Sequence, residues 1–206
     1  MNRREPPLLP LVGQPPAERA DAARNRQRLV EAAQRIVAAK GVQGLALDEV
    51  AKEAGVGVGT AYRRFGDVSG LAYTLMEGHE FRFQEAFLSG PPPLGPGAPA
   101  AERVRAFVHG LLDLQWEQWD LRLLAVTKAP EGYGSGPYNA YHLHLRTLLN
   151  ELVTDADYWA GALLALLQPA VLDHQQRVLG IGPDRIRAGL DAVLDRLLRQ
   201  PSGPAA

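Results

Sequence analysis

The sequence predicts an all-α protein: an N-terminal three-helix head containing a helix-turn-helix, followed by a larger helical body. Three observations carry this. Apolar residues recur at three- and four-residue steps beyond residue 23, and no run alternates with a period of two. Glycine and proline clusters cut that pattern into segments of helical length. The stretch "AGVGVGTAYRRF", Ala54 to Phe65, is the middle of two short helices joined by a tight turn, the dimensions of a helix-turn-helix.

The elements follow in order. Residues 1–23 hold Pro6, Pro7, Pro10, Pro15 and Pro16 without periodicity and read as a Pro-rich, disordered tail. From Arg24, the residues Leu29, Ala33, Ile36, Val37 and Lys40 make one helical face, and Gly41 stops it. "LDEVAKEAG" is a short helix with Asp48 and Glu49 in its first turn, where they suit the helix dipole. Ala46 stands where a hydroxyl cap is expected, so that start is weakly capped. "VGTAYRRF" is the next helix, closed by Gly66; Asp67 or Ser69 caps the one after it. "GPPPLGPGAP", Gly90 to Pro99, breaks the chain. Beyond it the pattern predicts helices over Ala101–Thr127, Tyr138–Val153, Asp157–Leu179 with a kink at Pro169, and Asp184–Arg199. The organisation is thus a tail over 1–23, a head over 24–70, a body over 71–200 and a flexible tail over 201–206.

Composition narrows the chemistry. The 206 residues can bury a sizeable core, and there is no cysteine. Disulfides, thiolate zinc sites and iron–sulfur clusters are therefore excluded, in keeping with a reducing cytoplasm. The N-terminus lacks the long apolar run of a signal peptide, and stretches such as "GALLALL" fall well short of the ~20 residues of a membrane span. The expectation is a soluble, cytoplasmic protein with no membrane partner. Residues 1–66 carry 11 Lys/Arg against 7 Asp/Glu, whereas the rest carries 11 against 16. A basic head on an acidic body suits an anion-binding, nucleic-acid-facing first third.

The turn region supports that reading position by position. Ala51 and Ala54 are small where two helices must cross closely, and Val50 and Val56 supply a shared core. Gly55 can take the positive φ of the turn. Gly57, Val58 and Gly59 leave the second helix's start almost without bulk, so its backbone N–H groups can approach a phosphate or a groove floor. Thr60, Tyr62, Arg63 and Arg64 then bring hydroxyls and guanidinium groups suited to phosphates and guanine edges. Tyr62 fits packing against the first helix as well as a phosphate contact, and Val58 fits an apolar filler as well as a base-methyl contact. A phosphate-cradling loop of an enzyme is disfavoured, because no strand precedes the glycines and no GK[ST] follows them.

"LVEAAQRIVAAKGVQGLALDEVAKEAGVGVGTAYRRFGDVSGL" resembles the N-terminal domain of the TetR family of bacterial transcriptional regulators. The helix ending in "KG", the "VAKEAGV" helix, the "GTAYRRF" recognition helix and "GDVSGL" match in order and spacing, over roughly residues 24–72. The resemblance implies a homodimer with one DNA-binding head per subunit, and it puts Thr60, Tyr62, Arg63 and Arg64 at positions that usually touch operator DNA. The chain departs from the pattern at Gly57 and Val58, where polar or basic residues are common. It departs again at Val68, where a Lys or Arg is common, and at Ala46, which replaces a hydroxyl cap. Fewer phosphate contacts elsewhere make Arg63 and Arg64 more important.

In that family the body usually holds an effector pocket and a dimer interface. Met76, His79 and Phe83, then His109, Leu112, Trp116 and Trp119, then Tyr138 and His142 are spaced as aromatic walls with sparse polar handles, suiting a small apolar ligand. The same spacing also suits plain core. His142 is expected as a pocket donor and His144 as solvent-facing; two apart on a helix, they do not converge on a metal, and no HExxH accompanies them. No metal, cofactor or catalytic constellation is expected, and Glu117 and Asp120 read as solvated charge. The last two helices offer Trp159, Leu163, Leu167, Val171 and His174, then Ile186, Leu190, Val193, Leu194 and Leu197, as a strip for a four-helix dimer bundle, or as closure of the subunit's own core. The function expected is a homodimeric regulator, a repressor on a palindromic double-stranded operator, released by an unknown small-molecule effector. A regulator without such an effector is the alternative, and a helical ligand carrier or enzyme a more remote one.

Overall fold

A computed structural model describes residues 20–126 and 136–199, and among them every regular element is helical. Expectations for residues 1–19, for the loop from Thr127 to Ser135 and for 201–206 lie outside the described residues. Helix α1 spans Ala20–Lys40, starting four residues before the expected Arg24. Alanines at 20, 22 and 23 favour helix, and Asp21 in the first turn complements the dipole, so the helix extends into the end of the expected tail. A single 3-10 turn, Val42–Gly44, follows and tucks Val42 and Leu45 into the core.

Helices α2 (Leu47–Ala54) and α3 (Val58–Phe65) lie where the sequence puts them. Ala46 begins α2 without a side-chain cap. Gly55 is left-handed at φ 61°, and its N–H reaches the carbonyls of Ala51 and Lys52, which turns the chain sharply into α3. Ala51, Ala54 and Ala61 are all buried where α2 and α3 cross, with Leu29, Ala33, Ile36 and Val50 completing the head's core. Asp67 caps α4 (Val68–Ser89), its carboxylate accepting from the N–H groups of Ser69 at 2.8 Å and Gly70 at 3.1 Å.

The body departs from the expected helix count in two places. The single helix expected over Ala101–Thr127 is α5 (Ala100–Glu117) and α6 (Trp119–Val126), divided at Gln118, whose φ of −115° leaves the helical region. The break lets α5 pack on α7 while α6 lies along α4. Helix α7 (Gly136–Leu149) ends four residues before Val153, and Leu152 and Val153 fold back on the Leu149 carbonyl. The helix expected over Asp157–Leu179 is α8 (Ala156–Leu166) and α9 (Pro169–Asp173), the latter continuing into a π turn over His174–Val178. Pro169 does not kink a continuous helix. It sits in the first turn of a new one, where a missing N–H costs nothing. Helix α10 (Pro183–Leu197) closes the body.

The body's core is aromatic at its centre. Phe83, Phe87, Phe107 and Tyr141 pack edge to face or tilted, with ring centroids 5.2 to 6.0 Å apart. Leucines from α5, α7, α8, α9 and α10 surround them. A separate seam joins the two parts: Leu121 and Leu124 of α6 pack both on the head's core and on Ala72, Met76 and Ala125.

His144 faces inward, against the expectation of solvent. Its ring lies 4.4 Å from that of Phe87 and 5.1 Å from that of Phe107, and its Nε2 is buried with no partner among the described residues. Burial, with Arg103 nearby, pulls its pKa from 6.5 down to about 4. The folded state therefore resists a proton that the unfolded chain takes up below pH 6.5. Stability is fully present above that value and falls as the pH drops towards 4. Between pH 7.5 and 5 the loss from this group is up to about 2 kcal/mol. Urea midpoints at the two pH values should show it for the wild type, and His144→Phe should remove that part of the drop.

Candidate nucleic-acid interface

Helix α3 stands on the outside of the head, held from below and free above. Ala61 is its buried contact, with Phe65 half-buried beside it. Arg28 of α1 donates to the Gly55 carbonyl at 3.3 Å, and Arg35 pairs with Glu53 at 3.1 Å, so the long helix steadies the turn and α2. Gly57 precedes α3 in extended conformation without a side-chain cap, and its carbonyl accepts from the Thr60 N–H at 2.8 Å. A Cβ placed on Gly59 meets nothing within 4 Å.

Every residue the sequence assigns to DNA contact lies on this one element or its immediate approach. Val58 is 44% exposed and Tyr62 47%, and Arg63 and Arg64 are exposed. The Val58 and Tyr62 side chains each keep about half their surface open, and neither belongs to the head's core. Arg63 donates to the Thr60 hydroxyl at 3.3 Å, which aligns its guanidinium along the helix. Sequence reasoning did not single out Arg28, whose guanidinium sits at the turn. Only the excess of positive charge in the first 66 residues hinted at it.

The body's expected pocket residues fall into separate groups. Met76 belongs to the seam beneath the head. Phe83 and Leu112 are buried in the packed core. His79 lies 3.3 Å from Glu117 across the α4–α5 contact. His109 and Trp116 face α10 instead: His109 Nε2 lies 2.8 Å from Asp191, Arg187 lies 3.1 Å from the other ring nitrogen, and the Arg187 guanidinium sits 5.4 Å over the Trp116 ring. That hydrogen bond from His109 holds the Asp191 carboxyl below the usual carboxylate range, with Arg105 adding to it. Trp119 and Tyr138 are half-buried against the core, and Tyr138 stacks with His142 at 6.1 Å. Among the described residues no group of three or more His, Asp or Glu is placed to hold a metal ion.

Of the expected interface strip, Leu163, Leu167, Ile186, Leu190 and Leu194 are buried in the subunit's own core, and Trp159, Val193 and Leu197 pack partly against it. The amphipathic pattern marks a covered face, and here the cover is the same chain. Val171 and His174 remain exposed, together with Val178 and Leu179 at the end of the π turn. A groove of about 310 Å³ is lined by Leu166 and Gln175 together with Arg185, Gly189 and Val193 of α10. No helix among the described residues is long and apolar enough to cross a membrane.

Comparison with known proteins agrees with this layout. Residues 29–72 match the family model for bacterial regulatory proteins, tetR family. An HTH-type transcriptional regulator of Staphylococcus aureus (strain USA300) is 42% identical over 59 residues, 29% of this chain and 32% of that protein. The match spans about a third of the length of such curated relatives. A TetR-family transcriptional regulator from Pectobacterium atrosepticum superposes with a TM-score of 0.66 at 19% identity, covering 90% of this chain and all of that one. AibR in complex with isovaleryl coenzyme A and operator DNA superposes at 0.53 and 17% identity, over 85% of this chain and 98% of that one. Identities this low speak for the fold, whereas the sequence match speaks for the head. That match lies on the three-helix head whose third helix is turned outward, so residues 29–72 form a head similar to the DNA-binding domain of bacterial regulatory proteins of the tetR family, on a chain that shares the fold of such regulators.

Proposed function

We propose that the chain regulates transcription as a homodimer, docking α3 of each subunit into the major groove of a palindromic operator, and that it represses until a small, largely apolar effector releases it. The observation that carries the reading is the exposed edge of α3, with bare backbone at Gly57 and Gly59 and with Tyr62, Arg63 and Arg64 turned outward. In a two-fold dimer two such helices would enter grooves about 34–36 Å apart. Support for the dimer comes from the exposed side chains of Val171, Val178 and Leu179 and from the groove along α10, apolar surface that a second copy can cover.

The effector reading draws on AibR, a protein of like fold seen with both an acyl coenzyme A and operator DNA. In this chain Tyr138 and His142 stack, and Trp119 and Tyr138 are half-buried against the body's core; an apolar ligand with one polar handle fits the chemistry of these side chains. Release then requires that the effector bind more tightly to a state whose heads no longer match the operator spacing. A regulator without an effector is favoured by one observation: Phe83 and Leu112 are already enclosed in tight packing. Effector-dependent loss of DNA binding separates the two.

Fluorescence anisotropy with DNA flanking the protein's own gene, against scrambled DNA and across a salt series, tests the central claim. Sequence-dependent binding that weakens steeply with salt supports it. Equal binding to scrambled DNA, together with an empty selection from genomic fragments, overturns it.

A further inference from the structure

We infer that Val58 reads the 5-methyl group of a thymine in each operator half-site, making the first turn of α3 an apolar reader. The inference rests on the operator-binding reading above and names a determinant of its sequence preference. At about 100° per residue, Val58, Tyr62, Gly59 and Arg63 fall within an arc of about 140° on the outward side of α3, and Ala61, held against the head, lies about 60° beyond the Val58 end of that arc. In a helix-turn-helix the N-terminal residues of this helix are the ones that reach base edges.

The first turn contains few ways to read a base. Gly57 and Gly59 have no side chain, and the turn has no acidic residue to accept from cytosine. It has no Asn or Gln to pair with adenine and no Arg or Lys to reach guanine. Thr60 is half-buried, and its hydroxyl already accepts from Arg63. Val58 is left as the one outward side chain ahead of Tyr62. It is 44% exposed, although Val56, Ala61 and Phe65 close to it pack inward.

An isopropyl group reads one feature of the major groove, the C5 methyl of thymine. Two properties suit Val58 to the task. Its β-branched side chain keeps essentially one rotamer in a helix, so little freedom is lost on contact. The bare positions on either side allow the short side chain to approach the groove floor; a Cβ at Gly59 would stand in open space, on the side from which DNA arrives.

The test uses the full-length protein. An operator is first selected from random duplex DNA, and each thymine in it is then replaced by deoxyuridine, which removes only the methyl. One position per half-site is expected to lose about fourfold in affinity for each methyl removed, the worth of burying one methyl group. With Val58→Ala that penalty should vanish, and the variant should bind the uracil-containing operator as well as the wild type does. Circular dichroism of the variant confirms the fold; Val58 is surface-exposed and alanine favours helix. A neutral uracil scan overturns the inference and leaves operator binding intact. A penalty that persists in Val58→Ala overturns it as well and assigns the methyl to another side chain. Failure of any sequence to enrich overturns the operator-binding reading, and this inference with it.

Discussion

Arg63→Ala and Arg64→Ala together are expected to lower operator affinity by about a hundredfold or more, each contact being worth about 1–3 kcal/mol. The two arginines should fail in different ways. Arg63 shares the outward arc with Val58 and is aligned by its hydrogen bond to Thr60. Its loss should relax sequence preference as well as affinity. Arg64 lies on the flank of α3, about 100° further round, where a phosphate is the natural partner. Its loss should weaken all sequences alike and flatten the salt dependence by about one unit per head. With Gly57, Val58 and Val68 standing where the family commonly places polar or basic residues, little else in this segment can compensate. Anisotropy at three salt concentrations, on the selected operator and on scrambled DNA, separates the two behaviours. An Arg64→Ala variant that binds like the wild type would refute the role given to that residue.

Glu80→Ala is expected to cost about 3 kcal/mol of stability, the cost of stranding a buried charge. The Glu80 carboxylate on α4 accepts from Arg122 of α6 and from the Tyr141 hydroxyl of α7, tying three helices at one point. The side chains of Glu80 and Arg122 are only 15% and 12% exposed, so the pair is little screened by water. Burial and the neighbouring carboxylate push the Tyr141 phenol far above its ordinary range, so it remains a donor at any working pH. Removing Glu80 strands the guanidinium in an apolar seam. Urea unfolding should show the full loss for Glu80→Ala and a smaller one, near 1 kcal/mol, for Tyr141→Phe, which removes a single hydrogen bond. Replacing Glu80 and Arg122 together by methionine should recover much of the difference, because no charge is then left unpaired. Equal losses for the single and the paired replacements would contradict this account.

The head was legible in the sequence because its determinants are local. Gly55 in the left-handed conformation, the uncapped start at Ala46 and the Asp67 cap each depend on a few adjacent residues, and all three appear where they were read. The division at Gln118 was not legible. The apolar period runs on from Leu114 to Leu121 and Leu124, and α6 turns because it docks on the head, a contact distant in sequence. Pro169 was visible as a disruption, but a kink and a fresh helix start share the same local signal. The candidate sites divide along the same line. The outward residues of α3 could be named because helix phase and the turn fix their direction. In the body, helical spacing shows that Phe83, Leu112, Ile186 or Leu194 is covered and leaves open what covers it. The cover proved to be other helices of the same chain.

The seam formed by Leu121 and Leu124 has a consequence for how the molecule comes apart. These two leucines pack against the apolar core of the head from a segment about fifty residues away along the chain from the head's last helix. A head cut from its body would present that patch to water, and a body without its head would expose the other side of α6. The two parts are thus expected to unfold together, although they divide the labour. Any event that shifts α6 trades directly against the integrity of the surface that meets DNA.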